Sequence, residues 1–371
     1  MPSDIKILLK GAKSGTHSVY QELIDYPPEN CTFLHSPTKK LSIDRLLGAG
    51  TYYCKLLNIG IASRNADLTH SHQQLILNRI PWVVDFEHAG AFVHFHHQSV
   101  RRCWNRRIIE KLLSSKNCKR ILPWSFAAKK SLENVIDFSK LEDKTEVVYP
   151  AIHNETFKKS KNDKFKILFV GIRFIVKGGK EVLDTFKILD KKYDNLELIL
   201  ISDVPEYIKN QYKDYDNIKI IDSYISRYDL FKNYYPNADI FVFPTRIDTF
   251  GMVLLEAMNF ELPIVSTNVF AIPEIIEDGK NGFLIPTKVS QYNKEFLILK
   301  NGVNDIRNIL EKNSEEMVVQ KLVEKISILI EDAKLRERMG KYGKKEIQEG
   351  KFSINNRNKK LRDIYEISKR R

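Results

Sequence analysis

Two segments of the chain concentrate residues able to hold an anion or a polyol. The first is Ala238 to Ile285, ADIFVFPTRIDTFGMVLLEAMNFELPIVSTNVFAIPEIIEDGKNGFLI. An apolar run over 240–243 ends at Pro244, the polar loop Thr245–Thr249 follows, and a helical pattern begins near Gly251. The first N–H groups of a helix have no intrahelical acceptor, so the amides of Thr249, Phe250, Gly251 and Met252 can point at an anion or at sugar hydroxyls. Gly251 lets a ligand approach the backbone closely. Asp248 sets a carboxylate at the same mouth, and Glu256 sets a second one eight residues later, within the helix. Taken singly, an acid near a helix start complements the helix dipole, and Glu256 fits a solvated helix position. Loop, helix start and two spaced acids together point to a ligand.

The second segment is Phe169–Phe186, FVGIRFIVKGGKEVLDTF, which places Gly171, Arg173, Lys177, Gly178 and Gly179 between a strand and a helix. A third group, Asp85-Phe86-Glu87-His88-Ala89-Gly90, follows an apolar strand pattern at 82–86. Ionisable groups at a strand end are candidate acid–base groups. Here Glu87 reads equally as a surface acid, and His88 as a hydrogen-bonded structural histidine. His70 and His72 can line the same face. His94, His96 and His97 match a metal box by composition but lack ligand spacing, so no metal is assigned.

Strands alternating with helices must position these groups. In the first half, strand patterns fall at 5–9, 67–70, 82–86, 120–122 and 146–149, with helical patterns at 19–24, 101–113 and 127–135. The polar stretch 154–164 reads as a linker. A second series follows, with strands at 166–170, 196–201, 218–221, 239–243, 263–265 and 282–285. Helical patterns lie between them, and Ser226 with Asp229 forms a capping box. The tail from Ser314 is helical. Such alternation predicts two doubly wound α/β domains, and 371 residues suffice for two cores at roughly 100–200 residues each. The expected division is residues 1–158, 159–350 and a closing helix over 351–371. In doubly wound sheets, ligands lie beyond the carboxyl ends of the strands, so a cleft between two such domains is the expected site.

At this point the chain resembles retaining glycosyltransferases of the GT-B fold, in the group called family 4. The resemblance rests on Asp248, Phe250-Gly251, Glu256, Pro273-Glu274 and Asn281-Gly282, on Phe169–Phe186, and on Phe352–Tyr365 in the tail. It covers the second half nearly throughout and the first half in outline. It implies that Glu256 bonds the nucleotide ribose and that Asp248 contacts hydroxyls of the transferred sugar. The amides around Phe250 and Gly251 would hold sugar and phosphate oxygens, and Arg173 and Lys177 the diphosphate. Gly171 belongs to the same donor set, and the loop carrying Gly11 and Gly15 would approach the donor phosphate from the first domain. It also implies that the last helix packs back toward the first domain and that the reaction needs no metal or other cofactor. Cations aimed at a leaving diphosphate stabilise the transition state more than the ground state, which suits Arg173 and Lys177 independently. Tyr224, after the strand at 218–221, is placed to stack on the base, with plain packing the other reading. Two departures stand out. The family usually has Glu where this chain has Asp248, and small glycines near Phe270-Ala271.

Composition limits the partners. The net charge of +13 favours anionic ones, and a nucleotide-sugar donor with a glycan or lipid-linked acceptor fits; no nucleic-acid motif accompanies the charge. Glu87 or His88 is the candidate for touching the acceptor. Residues 99–120 combine Arg101, Arg102, Arg106, Arg107 and Lys111 with Trp104, Ile108, Ile109, Leu112 and Leu113. This pattern suits docking on an anionic membrane surface, or an ordinary helix with its apolar face in the core. With no leader-like or spanning segment, and with four cysteines in no CxxC pair, the expected location is the cytoplasm, with peripheral association at the inner face. The competing expectations are a sugar-nucleotide epimerase or hydrolase on the same architecture, and a non-catalytic glycan-binding scaffold.

Overall fold

The computed structural model describes residues 4–10, 18–35, 57–62, 65–77, 79–158, 163–299 and 302–369. Gly11 and Gly15 lie outside the described residues, as does the imidazole of His97. The chain divides into two compact units. The first comprises Met1–His153, Asn293–Lys300 and Lys351–Arg371; the second comprises Asn154–Tyr292 and Asn301–Gly350.

The strands of the first unit are β1 (Ile5–Lys10), β2 (Cys31–His35), β3 (Ile59–Gly60), β4 (Leu68–His72), β5 (Leu75–Ile76), β6 (Trp82–Phe86) and β7 (Cys118–Pro123). The main sheet is parallel, in the order β2-β1-β4-β6-β7, with β3 and β5 forming a small separate ladder. Every residue of β6 is buried, as expected for a strand covered on both faces. On one face Leu8, Trp82, Val84 and Phe86 pack with Ile109, Leu113 and Leu132; on the other Ile5, Ile7, Leu9 and Val83 pack with Leu361, Ile364 and Tyr365. The helix Ile354–Ser368 is therefore part of the first unit's core, although it follows the whole second unit in sequence.

Three details differ from the sequence reading. Strand β2 was not anticipated. The stretch expected as a strand at 146–149 is irregular: Glu146 N–H and Val148 N–H donate to Ile121 and Pro123 carbonyls without extending a ladder. The single helix expected at 101–113 is broken at Arg102, whose extended backbone (φ −67°, ψ 127°) separates His97–Arg101 from Cys103–Leu113.

The second unit holds β8 (Phe165–Val170), β9 (Leu196–Ile201), β10 (Ile218–Ile221), β11 (Ile240–Phe243), β12 (Ile264–Thr267) and β13 (Gly282–Ile285). They form one parallel sheet in the order β10-β9-β8-β11-β12-β13. From β8 the chain winds outward through β9 and β10; it then returns to β11 and winds the other way. The strand order therefore reverses between β8 and β11, the place where doubly wound sheets open a crevice for ligands. Ser226 caps its short helix as its spacing predicts, its Oγ accepting from Asp229 N–H at 3.1 Å.

Candidate donor site

The loops leaving β8 and β11 stand side by side at that reversal. Arg246 N–H donates to the Val176 carbonyl at 2.9 Å, which ties one loop to the other. Gly178 adopts φ +82°, and a Cβ there would fall on the Pro244 carbonyl oxygen. Glycine thus provides both the left-handed turn and the close approach. The Lys177 ammonium donates to the Ile247 carbonyl at 2.6 Å and to Asp248 Oδ2 at 2.7 Å, over the Phe243 ring at 5.3 Å. Lys177 and Asp248, distant in sequence, form one partly buried ion pair. Asp248 Oδ1 also accepts from Phe250 N–H at 3.2 Å, which shapes the turn into the next helix.

That helix, Met252–Asn259, starts after Gly251 in the left-handed region (φ 95°, ψ 62°), where most side chains would be strained. Residues 254–259 are buried, which fixes the helix against the sheet and aims its N-terminus at the loop mouth. Thr249 and Met252 are half-buried at this mouth, while Phe250 is buried beneath it. Gly171 is half-buried against the Phe243 ring. Arg173 is exposed, in the left-handed region (φ 70°), and its guanidinium makes no hydrogen bond or ion pair with the described residues.

Glu256 is 6% exposed, so its carboxylate needs partners. Tyr235 Oη donates to Oε2 at 2.9 Å and Arg227 Nε to Oε1 at 3.2 Å. Tyr224 stands 97% exposed after β10, its N–H bonded to Asp222 Oδ1 at 3.2 Å. Phe270, where small residues were expected, takes φ 49° and stacks on Tyr292 with ring centroids 4.4 Å apart. The aromatic ring turns into the second unit's own packing.

The sequence reading missed Arg246. Its side chain is fully buried, with Nη2 3.0 Å from Glu181 Oε1 and 3.3 Å from Glu315 Oε2. Burial raises the Glu181 carboxyl pKa, and the Arg246 charge opposes that rise. An arginine in a polar loop gives no sign of burial by itself; both partners lie more than sixty residues away in sequence. Arg227 and Tyr235 were missed as well; they lie 29 and 21 residues from Glu256, at no helical or strand spacing from it.

The first unit sorts the remaining candidates. His88 is wholly buried: Nδ1 accepts from Gly90 N–H at 2.8 Å, and Nε2 lies 2.8 Å from the Phe296 carbonyl. Burial pushes its pKa down to about 4, against the Phe296 bond. With both ring nitrogens committed, His88 caps a short helix and has none to offer an acceptor. Glu87 is half-buried and accepts from Gln73 Nε2 at 2.7 Å. In the basic segment, Ile109 and Leu113 are core residues, whereas Trp104 is 72% exposed among exposed Arg101, Arg102, Arg106 and Arg107. Among the described residues, no helix is long and apolar enough to cross a membrane.

Residues 152–317 match the family model described as glycosyl transferases group 1. The chain is 29% identical over 205 residues to the capsular polysaccharide biosynthesis glycosyltransferase CapM of Staphylococcus aureus, covering 54% of this chain and 45% of that protein. It is 27% identical over 239 residues to an uncharacterised glycosyltransferase of Haemophilus influenzae, covering 62% and 67%. The match thus spans 45% and 67% of the lengths of these two relatives. The crystal structure of Anabaena HepE in complex with UDP-glucose superposes with a TM-score of 0.64 over 98% of this chain and all of that one, at 14% identity. That likeness carries the α/β fold with two Rossmann-like domains. Residues 152–317 are thus similar to the glycosyl transferases group 1, and the chain shares the two-domain α/β fold of that solved structure.

Proposed function

We propose that this chain is a glycosyltransferase that moves a sugar from a nucleoside-diphosphate carrier to a glycan or lipid-linked acceptor. The observation that carries the reading is the joined pair of loops at the β8/β11 reversal. They bring Lys177, Asp248 and the N-terminus of Met252–Asn259 to one mouth, with Arg173 unpartnered among the described residues on the first loop. A diphosphate bound there meets one or two cations and a helix N-terminus, and it gains charge as the glycosidic bond breaks. Asp248 takes sugar hydroxyls and Glu256 the ribose. Tyr224 takes the base, and Gly171 lets the donor approach the backbone.

In this reading the reaction proceeds with retention at the anomeric carbon, as in family 4, and without a metal. The acceptor hydroxyl attacks from the leaving-group side and the departing diphosphate takes its proton. The first unit supplies the acceptor side, through Glu87. UDP-glucose in the Anabaena complex makes UDP-sugars the first donors to try, followed by GDP- and ADP-sugars. A thermal-shift screen tests the reading: at least one nucleotide sugar raises the melting temperature, Glu256→Ala abolishes the shift and Lys177→Ala weakens it. Full retention of the shift in both variants contradicts the assignment.

The exposed Trp104 and its arginines support peripheral docking on an anionic membrane at the cytoplasmic face. Co-flotation with phosphatidylglycerol vesicles, reduced in Trp104→Ala and at high salt, is expected. Equal flotation with neutral vesicles contradicts it.

A further inference from the structure

The first unit also has a strand-order reversal. From β1 the chain passes outward to β2, then returns on the other side to β4, β6 and β7, so the reversal lies between β1 and β4. The last residue of β4 is His72, in register with Asp85 of β6. Ligands of doubly wound sheets gather at such strand ends.

Asp85 is 6% exposed and heavily bonded. Tyr20 Oη donates to it at 2.6 Å, Trp124 Nε1 at 3.0 Å and His72 Nδ1 at 3.1 Å, with His70 Nε2 3.7 Å away. Burial opposes its ionisation, but the paired histidines and hydrogen bonds hold its pKa at about 2. An ionised carboxylate only accepts, so His72 carries its proton on Nδ1. The imidazole is stacked on Trp124 (centroids 5.5 Å, 14°) and tilted against Tyr20 (4.3 Å). It is thus held in one orientation, and its Nε2 has no hydrogen-bond partner among the described residues. The His72 side chain is 14% exposed. Burying a charged carboxylate is unfavourable before compensation, and packed apolar residues would serve stability as well. The next residue, Gln73, is bonded to Glu87.

We propose that His72 is an acceptor-binding residue: its Nε2 accepts a hydrogen bond from a hydroxyl of a sugar-like acceptor, Asp85 acts as its positioning residue, and Glu87 flanks the same subsite. This rests on the glycosyltransferase reading and adds to it the group that reads the acceptor. No proton need leave the hydroxyl for this contact; the bond orients the acceptor.

The test uses the full chain. ¹⁵N-histidine NMR of the wild type, with UDP bound, is followed through additions of methyl hexosides; His72→Gln assigns the signal. The expected result is an imidazole with a proton on Nδ1, whose Nε2 resonance moves with at least one methyl hexoside. In transfer assays with the nucleotide sugar found by thermal shift, His72→Phe raises the acceptor KM at least tenfold. Donor KM and donor-only hydrolysis stay within twofold, and His72→Gln, which keeps an acceptor oxygen, recovers part of the loss. Asp85→Asn gives an intermediate KM. An unmoved Nε2 resonance with an unchanged acceptor KM in His72→Phe overturns this inference alone. Failure of every nucleotide sugar to bind overturns the glycosyltransferase reading, and the acceptor role falls with it.

Discussion

Replacing Lys177 by Met tests the electrostatics of the donor loops. In the ligand-free chain the ammonium is balanced by Asp248 at 2.7 Å. A bound diphosphate competes for that ammonium, and each hydrogen bond between charged partners contributes about 1.5–3 kcal/mol. Loss of one such bond weakens binding roughly 10- to 150-fold, at about 1.4 kcal/mol per tenfold. Lys177→Met also leaves the Asp248 carboxylate facing the phosphates. Two unit charges 6 Å apart at an effective dielectric of 20 repel by about 3 kcal/mol. The double variant Lys177→Met/Asp248→Asn removes that repulsion and should bind at least fivefold better than the single one. Titration calorimetry with UDP at fixed ionic strength reads this without the sugar contact of Asp248. A Lys177→Met affinity within threefold of wild type, or a double variant weaker than the single, refutes the reasoning.

Three further outcomes follow from the packing. Arg246→Met strands Glu181 and Glu315 without their cation, and breaking a buried pair this way costs about 3–5 kcal/mol, so calorimetric melting should fall by about 10 °C; a fall under about 3 °C contradicts it. Gly178→Ala and Gly279→Ala share a positive φ, but only the first meets the Pro244 carbonyl. Urea unfolding should show about 1–2 kcal/mol lost at Gly279 and clearly more at Gly178, and equal losses would show that the close approach is unimportant. Because His88 is held neutral, its folded pKa of about 4 lies below its usual 6.5, and the unfolded chain binds more protons between those values. Its contribution of about 3 kcal/mol, at roughly 1.4 kcal/mol per pH unit, is full above pH 6.5 and lost as pH falls toward 4. His88→Asn should flatten that part of the stability–pH curve, and an unchanged slope contradicts the assignment.

The second unit was legible because its strands are uninterrupted apolar runs bounded by turn residues, and because its site residues lie within short segments. Gly251 and the amides after it could be placed from spacing alone. Strand β2 was hidden because CTFLH alternates too briefly to register, and the break at Arg102 leaves no glycine or proline as a marker. The partners that tune the site come from afar: Arg246 with Glu181 and Glu315, Glu256 with Arg227 and Tyr235, Asp85 with Tyr20 and Trp124. Only the folded sheet order brings such pairs together. Glu87 and His88 are adjacent in sequence and equally ionisable on paper; their different fates follow from the Phe296 carbonyl, which lies more than two hundred residues away.

Crystals soaked with UDP test the donor site most directly. The expected result is pyrophosphate density within hydrogen-bonding distance of the Lys177 ammonium, the Arg173 guanidinium and the amides of Phe250 to Met252, with ribose hydroxyls on Glu256. UDP bound elsewhere in the second unit, with Lys177 still closed on Asp248 and Arg173 turned away, contradicts it.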